Sequence, residues 1–503
     1  MTYVITQNCC NDASCVAACP VGCIHPTPEE PGFATADMLY IDPATCIDCG
    51  ACADACPVDA IRPDTALTPD TELYLDLNAA YYRTHTPTPQ FTRIPRPVPL
   101  VTSETPLRVA IVGSGPAGFY SAKELLHHPG VQVDMFERLP VPYGLVRHGV
   151  APDHPATKSV VDQFTFSPDK QRRLRMHLGV HLGVHIDHLD LLAQHHAVIY
   201  ACGAEQPRRL EVPGALLPGV VYANALAGWY NDHPEHRSLT PNLDTRRAVV
   251  IGNGNVALDI ARILTTEPGA GTANTMPGYA RDALRHSKID EVVILGRRGP
   301  QHASFTVPEL LALTRLPGVD LIIDPADLSE DLFEEPPADS GARAKLELLA
   351  TAAQMTPTPG NKRIVLQFNT TPTQVRGTHA VTAVAARRCG DSDEHVVVDT
   401  GLVVPAIGYE GRPIAGVGFD PATGTIPNRG GRVLGDDGRA VTGVYTAGWI
   451  KRGPTGVIGT NRSCAKETVS HLLDDHRAGL LAEPVANSRK SRARQSVTLG
   501  KVS

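Results

Sequence analysis

The first 60 residues contain no lysine and no arginine. They do contain eight acids, Asp12, Glu29, Glu30, Asp37, Asp42, Asp48, Asp54 and Asp59. This segment is therefore −8 in a chain of net charge −7, and the rest is left at +1. An acidic head on a near-neutral body argues against nucleic-acid binding and points to steering toward a basic partner surface. Long apolar runs are missing too. No stretch supplies the ~18 apolar residues of a membrane helix, and Met1-Thr2-Tyr3-Val4-Ile5 has neither the basic region nor the apolar stretch of a secretion signal. A cytoplasmic chain without membrane insertion is expected. Cysteine is scarce beyond residue 60, where only Cys202, Cys389 and Cys464 occur, each alone. No CxxC occurs there, which excludes a redox-active dithiol of that spacing. The other nine of twelve cysteines crowd into the head, and in a reducing compartment such a cluster reads as metal ligands.

Among the nine, Cys46, Cys49, Cys52 and Cys56-Pro57 stand at offsets 0, 3, 6 and 10. Three thiolates on one tight loop can hold three corners of an iron–sulfur cluster, while the fourth reaches the other cluster of a pair. An earlier copy with the same offsets reads Cys9, Asp12, Cys15 and Cys19-Pro20. Crossing the fourth ligands assigns Cys46, Cys49, Cys52 and Cys19 to one 4Fe–4S cluster. Cys9, Cys15 and Cys56 hold the other, with Asp12 at its fourth corner. Carboxylate is a hard ligand where iron–sulfur chemistry prefers thiolate, so this site is expected to hold a 3Fe–4S cluster or an Asp12-ligated 4Fe–4S cluster. Cys10 and Cys23 fall outside the repeat.

From about Arg62 to Pro106 the chain is rich in Pro and Thr and reads as an extended linker, with one or two helical turns near Tyr74–Tyr82. An apolar strand then runs into Gly113-Ser114-Gly115-Pro116-Ala117-Gly118 and a helix, and the next strand ends at Glu137. That is a dinucleotide fingerprint in its proper context: glycines let the pyrophosphate approach a helix N-terminus, and the acid bonds a ribose hydroxyl. A second copy, Gly252-Asn253-Gly254-Asn255-Val256, is followed by a strand that ends in Arg297-Arg298 instead of an acid. Two guanidiniums there suit the 2′-phosphate of NADP. The first site is therefore expected to take FAD and the second NADPH. Thr265–Ser287 reads as a surface loop and the basic tail from Pro484 as disordered. His177, His181 and His185 recur every fourth residue, but the intervening glycines favour strand and loop, where they need not converge on a metal.

Residues 2–60 resemble bacterial seven-iron ferredoxins, notably in Cys19-Pro20-Val21-Gly22-Cys23-Ile24 and Tyr40-Ile41-Asp42-Pro43, although Cys9 and Cys15 are spaced more tightly than usual. From Arg108 to about Leu473 the chain resembles adrenodoxin reductase and bacterial ferredoxin–NADP reductases. The runs that carry this include Pro142–Arg147, Ala151–Pro155, Gly296–Glu309 and Gly448–Asn461. The resemblance implies an α/β flavoprotein with two dinucleotide-binding domains, the NADP domain inserted in the FAD domain, behind a small α+β ferredoxin domain. The implied boundaries are 1–61 ferredoxin, 62–105 linker, 106–205 and 402–482 FAD, 206–401 NADP, and 483–503 tail. FAD contacts are implied at Ala117, Gly118, Glu137, Leu145, Leu182, Trp449, Gly456, Val457 and Ile458. NADP contacts are implied at Asn253, Gly254, Asn255, Val256, Arg297, Arg298, Glu309 and Gly456, and His154 is implied close to the flavin. The expected activity carries electrons from NADPH through FAD and the clusters to an external redox protein, such as a haem-thiolate monooxygenase or another ferredoxin. Two alternatives stand beside it: a glutamate-synthase small-subunit-like protein and a non-catalytic redox sensor.

Overall fold

Three regions of the chain build hydrophobic cores, and that of the head also takes in Leu311. The computed structural model describes residues 2–85, 101, 106–268, 275–328, 331–334, 340–388 and 394–485. In the head, strands Tyr3–Ile5 and Ile61–Pro63 pair antiparallel, as do Ile24–His25 and Tyr40–Ile41. A helix, Leu73–Thr84, packs across both pairs. Its Asn78 donates to the carbonyls of Ile5 and Tyr74 and accepts from the amides of Ile5 and Ile41. Residues 62–85 are thus part of the ferredoxin head, and the boundary read at residue 61 moves to about 85. The helical turns expected near Tyr74–Tyr82 are present, but they belong to the head: Tyr74 is buried in its core, and Leu73, Leu75 and Leu77 pack against it. Of the expected linker, residues 86–100 and 102–105 lie outside the described residues, as does most of the tail.

The second core surrounds a seven-stranded sheet. Leu107–Val112 sits near its middle, between parallel neighbours Ala197–Tyr200 and Val131–Glu137. Leu107–Val112 and Ala197–Tyr200 are buried on both faces, hence their runs of Val, Ile and Ala. The third core surrounds five parallel strands ordered Val319–Ile323, Lys362–Gln367, Glu291–Leu295, Arg247–Ile251 and Leu402–Pro405. Leu402–Pro405, expected in the second FAD segment, pairs with Arg247–Ile251 and so belongs to the sheet of the NADP domain. The two chain crossings between domains pair with each other, Gln206–Pro207 against Tyr409–Glu410. Within the stretch read as a surface loop, Gly278–Arg285 is a helix that buries Ala280 and Leu284.

Candidate functional site

The two cysteine loops share one backbone path. Two residues past the first cysteine the chain turns left-handed, at Asn11 (φ 53°) and Asp48 (φ 55°), and again two residues later at Ala13 (φ 58°) and Gly50 (φ 73°). A short helix then starts at Ser14 and at Ala51. This superposes Cys9, Asp12 and Cys15 on Cys46, Cys49 and Cys52 and leaves Cys10 out of register. Cys9, Cys15 and Cys56 line one cavity with Cys10 and Asp12. Cys19, Cys46, Cys49 and Cys52 line a second, with Cys23. In each cavity one cysteine comes from the other loop. Burial pushes the Cys9 thiol up to about 11 and Cys15 well above its usual range. The hydrogen bond with Cys23 (Sγ–Sγ 3.4 Å) draws Cys19 down. Amides of Leu39 and Ala60 point at the sulfurs of Cys9 and Cys56 (3.5 and 3.2 Å). Buried sulfurs with amide donors fit an iron–sulfur cluster, whose irons supply the positive charge that burial takes away.

The cavities differ in position. The first adjoins the flavoprotein: Cys10 and Val58 form one buried cluster with Val146 and Val160, and Cys9, Cys56 and Ile458 all pack against that cluster. The second reaches the surface, where Cys49 is exposed and Ile47 and Val21 are 58% and 44% accessible. We call them the inner and outer cavities.

At the first nucleotide fingerprint, a Cβ on Gly118 would lie 2.1 Å from the Gly113 carbonyl oxygen, so only glycine lets the helix sit this close to its strand. Gly115 faces open space, as an approaching pyrophosphate needs. Ala117 is buried at the start of the helix. Glu137 accepts from the Ser114 amide and hydroxyl (3.0 and 2.6 Å) and from the Leu139 amide. Leu145 is exposed, and Leu182 bridges to Ile186. Trp449 stacks near Tyr409 and donates to the Thr455 carbonyl (3.1 Å). The Gly456–Ile458 loop is tied down by the Val457 amide on Thr460 Oγ1 (3.2 Å). Arg452 Nε and Nη1 are buried without a hydrogen-bond partner among the described residues. An open glycine face, an acid at the strand end and unsatisfied guanidinium nitrogens fit the demands of a dinucleotide such as FAD.

At the second fingerprint Gly254 also faces open space. Asn253 lies against Gly296, Val256 packs on the core, and Asn255 Oδ1 accepts from the Thr306 amide (2.8 Å). Arg297 and Arg298 are exposed at the end of their strand, where a 2′-phosphate would need them. His154 and Glu309, read as parts of different cofactor sites, lie together, with Nδ1 3.9 Å from Oε1. Asp259 completes a trio whose ligand atoms lie within 4.8 Å of one another. Arg262, buried at 4% accessibility, donates to Asp153 (2.5 and 3.0 Å), Asp259 (2.6 Å) and Glu309 (3.4 Å). Burial raises the Glu309 pKa. This network escaped the sequence reading, although the i, i+3 spacing of Asp259 and Arg262 on an otherwise apolar helix was a signal for it. The three spaced histidines do not form a metal group: His177 Nε2 pairs with Asp134 (2.7 Å).

Comparison with known proteins agrees with this architecture. The family model described as pyridine nucleotide-disulphide oxidoreductase matches residues 107–271, and the 4Fe-4S binding domain model matches 39–62. A probable ferredoxin/ferredoxin–NADP reductase of Mycobacterium tuberculosis (strain ATCC 25618 / H37Rv) is 47% identical over 517 aligned residues, spanning 99% of this chain and 89% of that protein. The chain belongs to the ferredoxin/ferredoxin–NADP reductase family. A relative of the flavoprotein part alone, the rat mitochondrial NADPH:adrenodoxin oxidoreductase, is 39% identical over 79% of this chain and 83% of its own. The solved structure of Mycobacterium tuberculosis FprA in complex with NADPH is 41% identical, with TM-score 0.69, over 75% of this chain and 87% of that one. Family membership therefore covers the head as well as the two nucleotide domains. Among the described residues no helix is long and apolar enough to cross a membrane.

Proposed function

We propose that this protein is an NADPH-dependent ferredoxin–NADP reductase whose first electron acceptor is its own head. The observation that carries the proposal is the join between the inner cysteine loop and the flavin loop. The Gly459 amide, next to Gly456–Ile458, donates to the Cys10 carbonyl at 2.7 Å. When bound, FAD takes a hydride from the nicotinamide and the clusters pass electrons singly. The protein's residues supply position and environment. Arg297 and Arg298 select the 2′-phosphate, the open faces of Gly254 and Gly115 admit the two dinucleotides, and Glu137 holds a ribose. His154, Glu309 and Arg262 close the cleft between the nucleotide domains, and His154 lies on the flavin side. The inner set of Cys9, Cys15 and Cys56 receives a 3Fe–4S cluster, or a four-iron one completed by Asp12. The outer set of Cys19, Cys46, Cys49 and Cys52 receives a 4Fe–4S cluster and faces the external acceptor, a haem-thiolate monooxygenase or another ferredoxin in the cytoplasm.

Protein purified anaerobically should contain one FAD and about seven to eight irons per chain, and NADPH should rapidly reduce an artificial acceptor. Stoichiometric zinc, or iron near zero, overturns the cluster assignment. Slow NADPH oxidation with all acceptors would instead favour the sensor.

A further inference from the structure

The corner of the inner cavity where the repeat replaces cysteine by Asp12 is also where the head meets the flavoprotein. The C-terminal helix, Thr460–Arg477, begins directly against it. A Cβ on Gly459, the residue before that helix, would lie 2.2 Å from the Asp12 amide nitrogen and 2.3 Å from the Cys10 carbonyl oxygen. Only a glycine permits this contact. Three residues on, Arg462 Nη1 reaches the Asp12 carbonyl (3.2 Å), Asp12 Oδ2 (3.2 Å) and Ser14 Oγ (2.5 Å). Asp12 itself is 6% accessible. Its Oδ1 accepts from the Ser14 amide (3.0 Å) and its Oδ2 from the Ser14 hydroxyl (2.6 Å). Both oxygens are therefore engaged by protein donors, one of them a cation. In the outer loop the matching residue, Cys49, is exposed at the protein surface.

We propose that Asp12 is an interdomain latch, which ties the inner cysteine loop to the C-terminal helix through Arg462, and not an iron ligand. The carboxylate presents two oxygens to these donors, Oδ1 to the Ser14 amide and Oδ2 to the Ser14 hydroxyl and the Arg462 guanidinium, where a thiolate would present a single sulfur. The replacement of cysteine thus exchanges a fourth ligand for a fixed seat of the inner cavity against the flavin loop. With three cysteine donors the inner site holds a three-iron cluster. This rests on the reading that Cys9, Cys15 and Cys56 bind an iron–sulfur cluster.

The test uses the full-length holoprotein and the variants Asp12→Asn, Arg462→Gln and Arg462→Lys. NADPH–ferricyanide reduction, which needs only the flavoprotein, serves as the control for folding and should stay within about twofold of wild type. Iron content and the paramagnetic signal of the air-oxidised three-iron cluster should be the same in Asp12→Asn as in the wild type. Amide hydrogen exchange over residues 10–14 and 459–464 should rise at least tenfold in Asp12→Asn and Arg462→Gln. Arg462→Lys should recover most of the protection, and reduction of a haem protein should slow several-fold where protection is lost. Loss or gain of iron, or a changed signal, in Asp12→Asn would show that the carboxylate is a ligand and overturn the proposal. Unchanged exchange in Arg462→Gln would overturn the latch. Absence of iron–sulfur signals from the wild type would instead defeat the cluster reading on which both rest.

Discussion

The proposed preference for NADPH rests on Arg297 and Arg298. They stand exposed at the end of Glu291–Leu295, and Arg298 is lightly held by the His302 carbonyl (3.4 Å). Replacing both by Ala removes two charge-assisted contacts to a 2′-phosphate, each worth about 1.5 kcal/mol at such exposure. The kcat/KM for NADPH should fall roughly 100-fold, through KM, while that for NADH stays within about twofold. Equal losses with the two coenzymes would mean that the arginines serve the fold. The proposal for these two residues can be made from the sequence because its signal, a basic pair at a strand end in place of an acid, is local. Arg262 was not legible there: its partners Asp153 and Glu309 lie 109 and 47 residues away.

Among the elements, helix Leu73–Thr84 shows how one polar side chain can hold a small domain together. Asn78 satisfies backbone groups of two strands at once, with Ile41 at 2.8 Å and Ile5 at 2.9 Å. Truncation to Ala leaves several buried donors and acceptors unpaired, at a cost of about 3 kcal/mol. In Asn78→Ala the visible absorbance of the clusters should be lost at a lower denaturant concentration than in the wild type, with the flavin transition unmoved. Simultaneous loss of both signals at the wild-type midpoint would show that the helix is not part of the head's fold. The strand Leu402–Pro405 teaches a related lesson. Its apolar run identifies a buried strand, but only the register Ala248↔Leu402 to Ile251↔Pro405 says to which sheet it belongs.

For the whole molecule, charge and position act together. The outer cavity opens through the acidic head, with Asp54 exposed and Asp48 half-buried nearby, while Cys10 and Val58 of the inner cavity pack with Val146 and Val160 of the flavoprotein. Encounter with a basic haem protein should therefore depend on ionic strength. At saturating NADPH, cytochrome c reduction should slow about tenfold between roughly 20 mM and 500 mM salt, as screening shortens the reach of the acidic field. A flat or rising profile would show that the acids of the head play no part in the encounter.

The sequence by itself determined which local motifs are present and the chemistry proposed for each. Cysteine offsets, glycine fingerprints, Glu137 and the Arg297–Arg298 pair are short-range patterns, because a ligand loop or a strand–turn–helix is built from residues within a few positions of one another. The family also followed from such runs. Tertiary structure alone decided where the sites stand relative to one another: which cysteine set faces the flavin loop, where the head ends, and what Asp12 does with its carboxylate. Arg462 lies 450 residues from Asp12, and no periodicity or motif spans that distance. Only the packing of the C-terminal helix against the cysteine loop, with Gly459 admitting the close approach, brings the two into contact.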